Sequence, residues 1–257
     1  ELPPDQRVPR LWDAIARLCR LDQPDPVAVW QSHLDGLARR SASLNAKRYR
    51  ALEYTGPGTH LTIGLPAGHV WVSGHTLSRS GIPLTAHLPT EEVFTIAHKD
   101  RVDGTVRSSK PLSYAGTLIE GFGFRFEGGR VVALSAERGE AVLRRLVDTD
   151  PGAGRLGEVA LVPHSSPISQ SGLLFYNTLF DENAASHAAL GSAYAFTLQD
   201  GDRMTEEDFA RAGGNRSVVH VDFMIGSGEL DVDGVCADGT REPVMRRGEW
   251  AVALPTS

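Results

Sequence analysis

The stretch Ser217–Met224 reads SVVHVDFM, and after Ser217 it is apolar except at two positions two residues apart. Such a run is typical of a buried β-strand. Side chains alternate between the two faces of a strand, so His220 and Asp222 are predicted to share one face. Burying an imidazole and a carboxylate is costly unless each has a partner. The two side chains could satisfy each other within the core, or both could bind a divalent metal ion.

Further metal-type ligands lie in three other segments with apolar or tightly turned surroundings. Glu91 and Glu92 lie in TEEVFT, Glu158 lies in the apolar run LGEVAL, and Glu182 and His187 lie in a stretch with a helical apolar pattern. Carboxylate and imidazole ligands without cysteine are typical of a catalytic zinc, cobalt or manganese site rather than a structural zinc. Three or more carboxylates with two histidines suffice for two ions that share a bridging carboxylate. The alternative for Glu158 is an exposed glutamate at a strand start.

Composition narrows the class of protein. The formal net charge is -6 and no long run of Lys or Arg is present, so nothing favours binding to nucleic acid or to an anionic membrane. No apolar run approaches the roughly 18 residues of a membrane-spanning helix. Cys19 and Cys236 lie far apart, which excludes a cysteine-ligated zinc site and favours reduced thiols in a cytoplasmic protein.

The order of apolar patterns predicts an α+β fold. Helices are expected over Pro9–Leu21 and from Val27 to about Leu44, followed by short β-rich runs separated by glycine and proline. A long helix is predicted over Leu173–Leu190. We expect a largely antiparallel, partly barrel-like sheet with flanking helices. Residues 1–50 are then a helical lead-in, and 51–257 form the sheet with its inserted helices.

Four motifs together resemble one known family. They are TEEVFT at Thr90–Thr95, GEVALVP at Gly157–Pro163, SQSGLLFYNTLFDENAASH at Ser169–His187 and HVDFMIG at His220–Gly226. This set resembles the thermophilic metallo-aminopeptidases, the family of aminopeptidases T, S and PepS, over essentially the whole chain. The resemblance implies the fold of the family's C-terminal catalytic domain over 1–257. It also implies that the family's upstream α/β domain is absent from this chain.

The resemblance implies a role for each matching residue. The family's metal ligands would fall on five positions, which are Glu92, Glu158, His187, His220 and Asp222. Asp222 would bridge two divalent ions, Glu182 is a weaker candidate ligand, and Glu92 is preferred over its neighbour Glu91. Tyr194 matches the family's catalytic tyrosine, whose phenol could donate to a developing oxyanion. Glu92 is the second expected catalytic residue, although Glu91 or Glu182 could equally carry the proton of the attacking water.

The expected function is a metal-dependent aminopeptidase that releases N-terminal residues from peptides, as a homodimer in the cytoplasm. One alternative is a related metal-dependent hydrolase of other amides or of phosphoesters. Another is an inactive, self-associating fragment that lacks its N-terminal domain. A Ser/His hydrolase around His164 is disfavoured because no G-x-S-x-G elbow is present. Four other histidines are interpreted as surface or loop residues, namely His69, His75, His87 and His98.

Overall fold

The structure, a computed structural model, describes residues 3–74, 76–78 and 80–251. His75, interpreted above as a surface or loop histidine, lies outside the described residues. Six α-helices occur in the described part of the chain, with the following bounds: α1 (Pro4–Leu18), α2 (Pro26–Lys47), α3 (Glu140–Val147), α4 (Pro167–Ser171), α5 (Thr178–Glu182) and α6 (Glu206–Arg211).

The strands form two main sheets and two small two-stranded ones. The larger sheet has the order β10-β9-β6-β2-β1-β14-β15-β16, with strands β1 (Ala51–Gly56), β2 (Thr59–Gly64), β6 (Val102–Arg107), β9 (Gly123–Glu127), β10 (Arg130–Ser135), β14 (Asp231–Val235), β15 (Arg241–Arg246) and β16 (Glu249–Trp250). The smaller sheet has the order β13-β12-β11-β5, with strands β5 (Val93–Ile96), β11 (Leu156–Leu161), β12 (His187–Gly191) and β13 (His220–Met224). The remaining strands form the pairs β3 (Thr76–Leu77) with β4 (Pro83–Leu84) and β7 (Leu112–Tyr114) with β8 (Thr117–Ile119).

The core lies between the two main sheets. Phe124 of the larger sheet and Phe223 of the smaller one pack with ring centroids 5.1 Å apart, and Val159 and Val221 join the same apolar cluster. Strand alternation sends every second side chain of the four-stranded sheet away from that cluster. The fold therefore gives this sheet one apolar face and one face available for a site.

The helical lead-in packs beside the edge strand β5. Trp30 of α2 is buried, and its indole N–H donates to the carbonyl of Cys19 at 2.7 Å, which ties the α1–α2 connection to α2. Asp25 caps α2 by accepting from the N–H of Ala28. Helix α1 begins at Pro4, five residues earlier than predicted, because proline is tolerated in the first turn of a helix.

The prediction of a helix over Leu173–Leu190 is wrong. That segment contains only the short helix α5, and His187 is the first residue of the strand β12. Strand β12 is completely buried between β11 and β13. Its alanines have high helix propensity, but pairing on both edges overrides such a weak local preference. The prediction therefore failed on the element that carries His187.

The α+β class and the antiparallel sheet are confirmed, since every strand pair in the two main sheets is antiparallel. Over the described residues the larger sheet runs from β10 to β16 without closing on itself, so the barrel-like character is partial. Among these same residues, none of the helices combines the length and apolar character needed to span a lipid bilayer.

Candidate metal centre

The free face of the four-stranded sheet carries four of the acidic residues and histidines singled out above, namely Glu158, His187, His220 and Asp222. Glu158 and Asp222 both lie opposite Ala189, one on each neighbouring strand. The small methyl group of Ala189 leaves space between the two carboxylates. His220 begins β13 and shares the face with Asp222, as the alternation in Ser217–Met224 predicts.

The side chains converge within ion-pair distance. Nε2 of His187 lies 3.0 Å from Oε2 of Glu92 and 3.9 Å from Oε1 of Glu158. Nε2 of His220 lies 3.9 Å from Oε2 of Glu158 and 3.5 Å from Oδ1 of Asp222. Two groups of potential metal ligands result, and in each group the ligand atoms lie within 4.8 Å of one another: Glu92, Glu158 and His187, and Glu158, His220 and Asp222. Glu158 belongs to both groups.

Both histidines are oriented by the backbone. Nδ1 of His187 lies 3.0 Å from the carbonyl oxygen of Ala185, and Nδ1 of His220 lies 2.7 Å from that of Ser192. A carbonyl oxygen only accepts, so each Nδ1 must carry the hydrogen. Each Nε2 is then the atom that faces the carboxylates and could bind a metal ion, which is the usual arrangement of metal-ligating histidines.

Buried oxygen atoms without hydrogen-bond partners show that the site fits cations. Three such atoms are Oε2 of Glu92, Oε2 of Glu158 and Oδ1 of Asp222. Although Oε2 of Glu92 is close to Nε2 of His187, the contact lacks the geometry of a hydrogen bond. The three residues are at most 7% exposed. Buried carboxylate oxygens are expensive to leave unpaired, and hard divalent ions supply the missing partner.

The electrostatics of the metal-free cluster indicate an excess of negative charge. Burial, followed by the charge of Asp222, raises the pKa of Glu158 and raises that of Glu182 to about 8. Burial disfavours the cationic form of His220, but Asp222 and Glu158 raise its pKa to about 9. Burial likewise opposes protonation of His187, yet the carboxylates around it, Glu92 foremost, raise its pKa. Without metal ions, the cluster therefore holds protons that cations would displace.

The site opens into a pocket of about 370 Å³ with an aromatic wall. The ring of Tyr194 lies 4.7 Å from that of His220 and stacks on Phe196 at 5.3 Å, while Phe94 contacts both aromatic rings edge-on. Burial and the surrounding carboxylates, Glu158 first, raise the pKa of Tyr194 to about 12. Its hydroxyl therefore keeps its proton at neutral pH and can donate it in a hydrogen bond. Glu182, the last residue of α5, lines the same pocket.

Glu91 points away from this pocket toward the helical lead-in. Its carboxylate accepts two hydrogen bonds from the guanidinium of Arg20, at 2.5 and 2.9 Å. The backbone N–H of Glu91 donates to the side chain of Asn183 at 2.7 Å, and His33 donates from Nε2 to the carbonyl of Thr90 at 2.8 Å. The TEE motif is thus held on one side by helices while Glu92 points to the other.

His69 is not a surface residue, and His87, although in a loop, has neighbours of the kind that bind metal ions. His69 is buried, with Nδ1 donating to the carbonyl of Pro66. His87 lies in a loop as predicted but lines the pocket, and forms a third group of potential ligands with Glu92 and Glu182. The sequence does contain a signal for His87, which lies five residues before Glu92 in the loop that leads into β5.

Curated relatives match almost the entire chain. Aminopeptidase T of Thermus aquaticus is 55% identical over 251 residues, which cover 98% of this chain and 61% of that protein. Aminopeptidase 2 of Geobacillus stearothermophilus is 53% identical over 254 residues, covering 99% and 62%. Aminopeptidase AmpS of Bacillus subtilis is 51% identical over 247 residues, covering 96% and 60%. The chain thus spans about three fifths of the length of these relatives.

Comparison with solved structures and a family model gives the same result. Wild-type AmpT from Thermus thermophilus superimposes with a TM-score of 0.91 at 53% identity, over 98% of this chain and 60% of that one. A 2,5-dihydroxypyridine dioxygenase from Pseudomonas putida shares the fold at a TM-score of 0.55 and 15% identity. The model of the thermophilic metalloprotease family (M29) matches residues 1–250. The chain therefore belongs to the thermophilic metalloprotease (M29) family.

Proposed function

We propose that this chain is the catalytic part of a metal-dependent aminopeptidase that removes N-terminal residues from peptides. The observation that carries the proposal is the convergence of four carboxylates and two histidines in one pocket, with buried oxygen atoms left unpartnered. The relatives named aminopeptidases are about half identical to the chain. Since the chain spans only about three fifths of their length, the activity of the whole protein remains a proposal.

The proposed ligands divide between two divalent ions, which could be zinc, cobalt or manganese. Glu92 and His187 would hold one ion, His220 and Asp222 the other, and a carboxylate between them, Asp222 or Glu158, would bridge. Glu182 is the weaker candidate ligand. When bound, two such ions supply a water of lowered pKa and polarise the scissile carbonyl.

Proton transfer falls to the carboxylates beside the attacking water. A group with a pKa near neutrality serves best as a general base and then as a general acid. Glu182 lines the pocket at the end of α5, where it can accept a proton and return it to the leaving amine. Glu92 is the alternative carrier. Glu91 is a poor one because Arg20 already occupies both its oxygens.

Tyr194 is the proposed donor to the developing oxyanion. Its phenol is protonated at neutral pH and lies at the pocket wall beside His220. A fixed donor aimed at developing charge stabilises a transition state more than the ground state. Phe94 and Phe196 hold the Tyr194 ring by edge and face contacts.

The pocket suits the N-terminus of a peptide. Its volume of about 370 Å³ is at the small end of the range for ligand sites, so it can take a short end of a substrate rather than an extended chain. A pocket carboxylate that is not taken up by an ion, such as that of Glu182, would pair with a free α-ammonium group. An exopeptidase needs that recognition, whereas a phosphoesterase would have to bring an anion to the same carboxylates.

Three further features belong to the proposal. The region 1–50 acts as a helical lead-in that supports the TEE motif, and 51–257 as the catalytic sheet. A homodimer and a cytoplasmic location are proposed from the resemblance to the family. The cytoplasmic location is also consistent with Cys19 and Cys236, which are both free thiols.

The test is a metal-reconstitution assay. After chelation, re-addition of zinc, cobalt or manganese is expected to restore hydrolysis of aminoacyl-p-nitroanilides, with N-acetylated substrates and phosphoesters as controls. Tyr194→Phe should lower kcat by roughly 100-fold, as for loss of one oxyanion donor, with little change in metal content. Full metal content and full turnover in both Glu158→Ala and His187→Ala would contradict the assignment of the site.

A further inference from the structure

His87 lies in the same pocket but is not needed for the two ions. It is half-buried in the loop before β5. One of its ring nitrogens lies within 4.8 Å of a carboxylate oxygen of Glu92 and of one of Glu182, and those two oxygens are equally close to each other. A histidine and two carboxylates at such distances can hold a divalent cation.

The ring of His87 is oriented like the rings of the two histidines on the sheet. Its Nδ1 lies 2.8 Å from the carbonyl oxygen of Pro89, so Nδ1 carries the hydrogen and Nε2 keeps the lone pair. His187 and His220 also donate from Nδ1 to a backbone carbonyl. His69 shows the same Nδ1 contact, but it belongs to none of the ligand groups found among the described residues. His87 therefore combines a ring held by a backbone carbonyl with two carboxylates close enough to share a cation.

Charge sets the order in which cations bind. The pocket contains four carboxylates, Glu92, Glu158, Glu182 and Asp222, so four negative charges are balanced by two divalent ions. A third ion at His87 would share Glu92 with the ion held by Glu92 and His187. No negative charge would be left in the pocket to balance it. It must therefore bind more weakly than the first two, at higher metal concentration.

We propose that His87, Glu92 and Glu182 form a third, weaker divalent-cation site in the same pocket, which suppresses turnover when it fills. The suppression rests on the proposed peptidase function, because the third ion would engage Glu92 and Glu182, the two candidate proton carriers. The binding itself does not depend on that function. His87 contributes its Nε2 lone pair, and its backbone contact to Pro89 holds the ring in place.

Metal stoichiometry tests the binding directly. Wild type, His87→Ala and His87→Gln are dialysed against rising zinc concentrations, and bound zinc per chain is measured by elemental analysis. His60→Ala is the matched control, since His60 is an exposed histidine on β2 of the other sheet. We expect a third zinc in wild type and in the control, and saturation at two in both His87 variants. Circular dichroism verifies folding of every variant.

Three outcomes overturn the proposal in distinguishable ways. Saturation of wild type at two zinc ions, with restored peptide hydrolysis, removes the third site and leaves the aminopeptidase. A third zinc that persists in both His87 variants removes His87 as its ligand. Absence of any tightly bound zinc in wild type would instead defeat the proposed function together with the third site.

Kinetics test the suppression. Each protein is assayed on the same p-nitroanilide with increasing zinc, relative to its own rate at the lowest zinc that restores activity. The zinc concentration for half-inhibition is expected to be at least tenfold higher in His87→Ala than in His60→Ala. Equal inhibition of the two variants would show that excess zinc acts elsewhere, and the regulatory part of the proposal would be wrong.

Discussion

The two faces of the four-stranded sheet are built from the same strands, and both are buried. They differ in polarity, because one face is apolar and the other carries carboxylates and histidines. On one face, Val159 and Phe223 pack into the shared apolar core. On the other, their chain neighbours Glu158 and Asp222 are almost as deeply buried, yet carry oxygen atoms without hydrogen-bond partners. Apolar burial stabilises the fold, whereas buried carboxylates of like charge oppose it. One face thus stabilises the sheet, and the other makes its stability depend on cations.

Truncation on the apolar face is expected to have the largest effect on stability. Phe223→Ala removes a ring that is 1% exposed and packs against Phe124 and Phe122. The loss should be about 3–5 kcal/mol of unfolding free energy, as for other buried phenylalanines. Urea denaturation with and without zinc measures it. Because the apolar face binds no ion, the loss of unfolding free energy should be the same with and without zinc. A loss that disappeared in zinc would show that the two faces do not act separately.

Neutralising the adjacent carboxylate should act in the opposite way. Glu158→Gln mimics the protonated acid that burial and Asp222 favour, so the metal-free chain should be no less stable than wild type. Zinc at 100 times its dissociation constant stabilises a chain by about 2.7 kcal/mol. The variant should lose nearly all of that gain, measured as the difference in urea midpoint with and without zinc. A large destabilisation of the metal-free variant would show that Glu158 has a structural role.

The pH dependence should reverse when metal binds. In the metal-free fold, the pKa of Glu182 is raised from 4.5 to about 8 and that of His220 from 6.5 to about 9. The folded state therefore binds more protons than the unfolded state between these values, and stability falls as pH rises through that window. Between pH 6 and 7 we expect a loss of about 2 kcal/mol in chelator.

With zinc bound, stability should rise with pH instead of falling. Metal binding requires deprotonated ligands, so zinc affinity and the stability that it confers increase with pH. Urea midpoints at the two pH values, in chelator and in zinc, give the comparison. Glu182→Gln is the control, since it removes one of the raised pKa values and should flatten the metal-free slope. Parallel slopes in chelator and zinc would contradict a cation-dependent face.

The sequence predicted which side chains meet in the pocket better than it predicted the elements that carry them. His220 and Asp222 share a face because strand alternation is a strictly local rule, and the antiparallel class followed from short strands and glycine turns. His187 was placed on a helix because the alanines around it favour one. Only the neighbours on both edges, Ala160 on β11 and Met224 on β13, make that segment a strand.

The choice between Glu91 and Glu92, and the place of His87, also depended on distant parts of the chain. Glu91 is turned from the pocket by Arg20, 71 residues earlier, which local spacing does not reveal. His87 shares the pocket with Glu182, which lies on the distant helix α5. Such contacts are set by tertiary geometry, so the pattern of residue types predicts which side chains meet in the pocket but not which residues support them.

The smallest expected effect concerns the helical lead-in. It tests whether zinc affinity depends on the contact between Arg20 and Glu91, which lies behind the carboxylate-bearing face of the sheet. Arg20→Met removes both hydrogen bonds to Glu91 and leaves that carboxylate buried beside His33. Loosening the TEE motif should lower zinc affinity by about tenfold, the lower end of the effect of partners behind metal ligands. Competition with a chromophoric chelator measures it.

The matched control is Arg144→Met, which removes an exposed pair with Glu140 on α3. Exposed pairs at this spacing contribute about 0.3–0.5 kcal/mol, and this one lies outside the zinc pocket, so zinc affinity should not change. If Arg20→Met and Arg144→Met bound zinc equally well, Glu92 would be held by β5 alone. If only Arg20→Met were weakened, the charged face would owe its geometry to the helical lead-in, whereas the apolar face is ordered by packing within the two sheets.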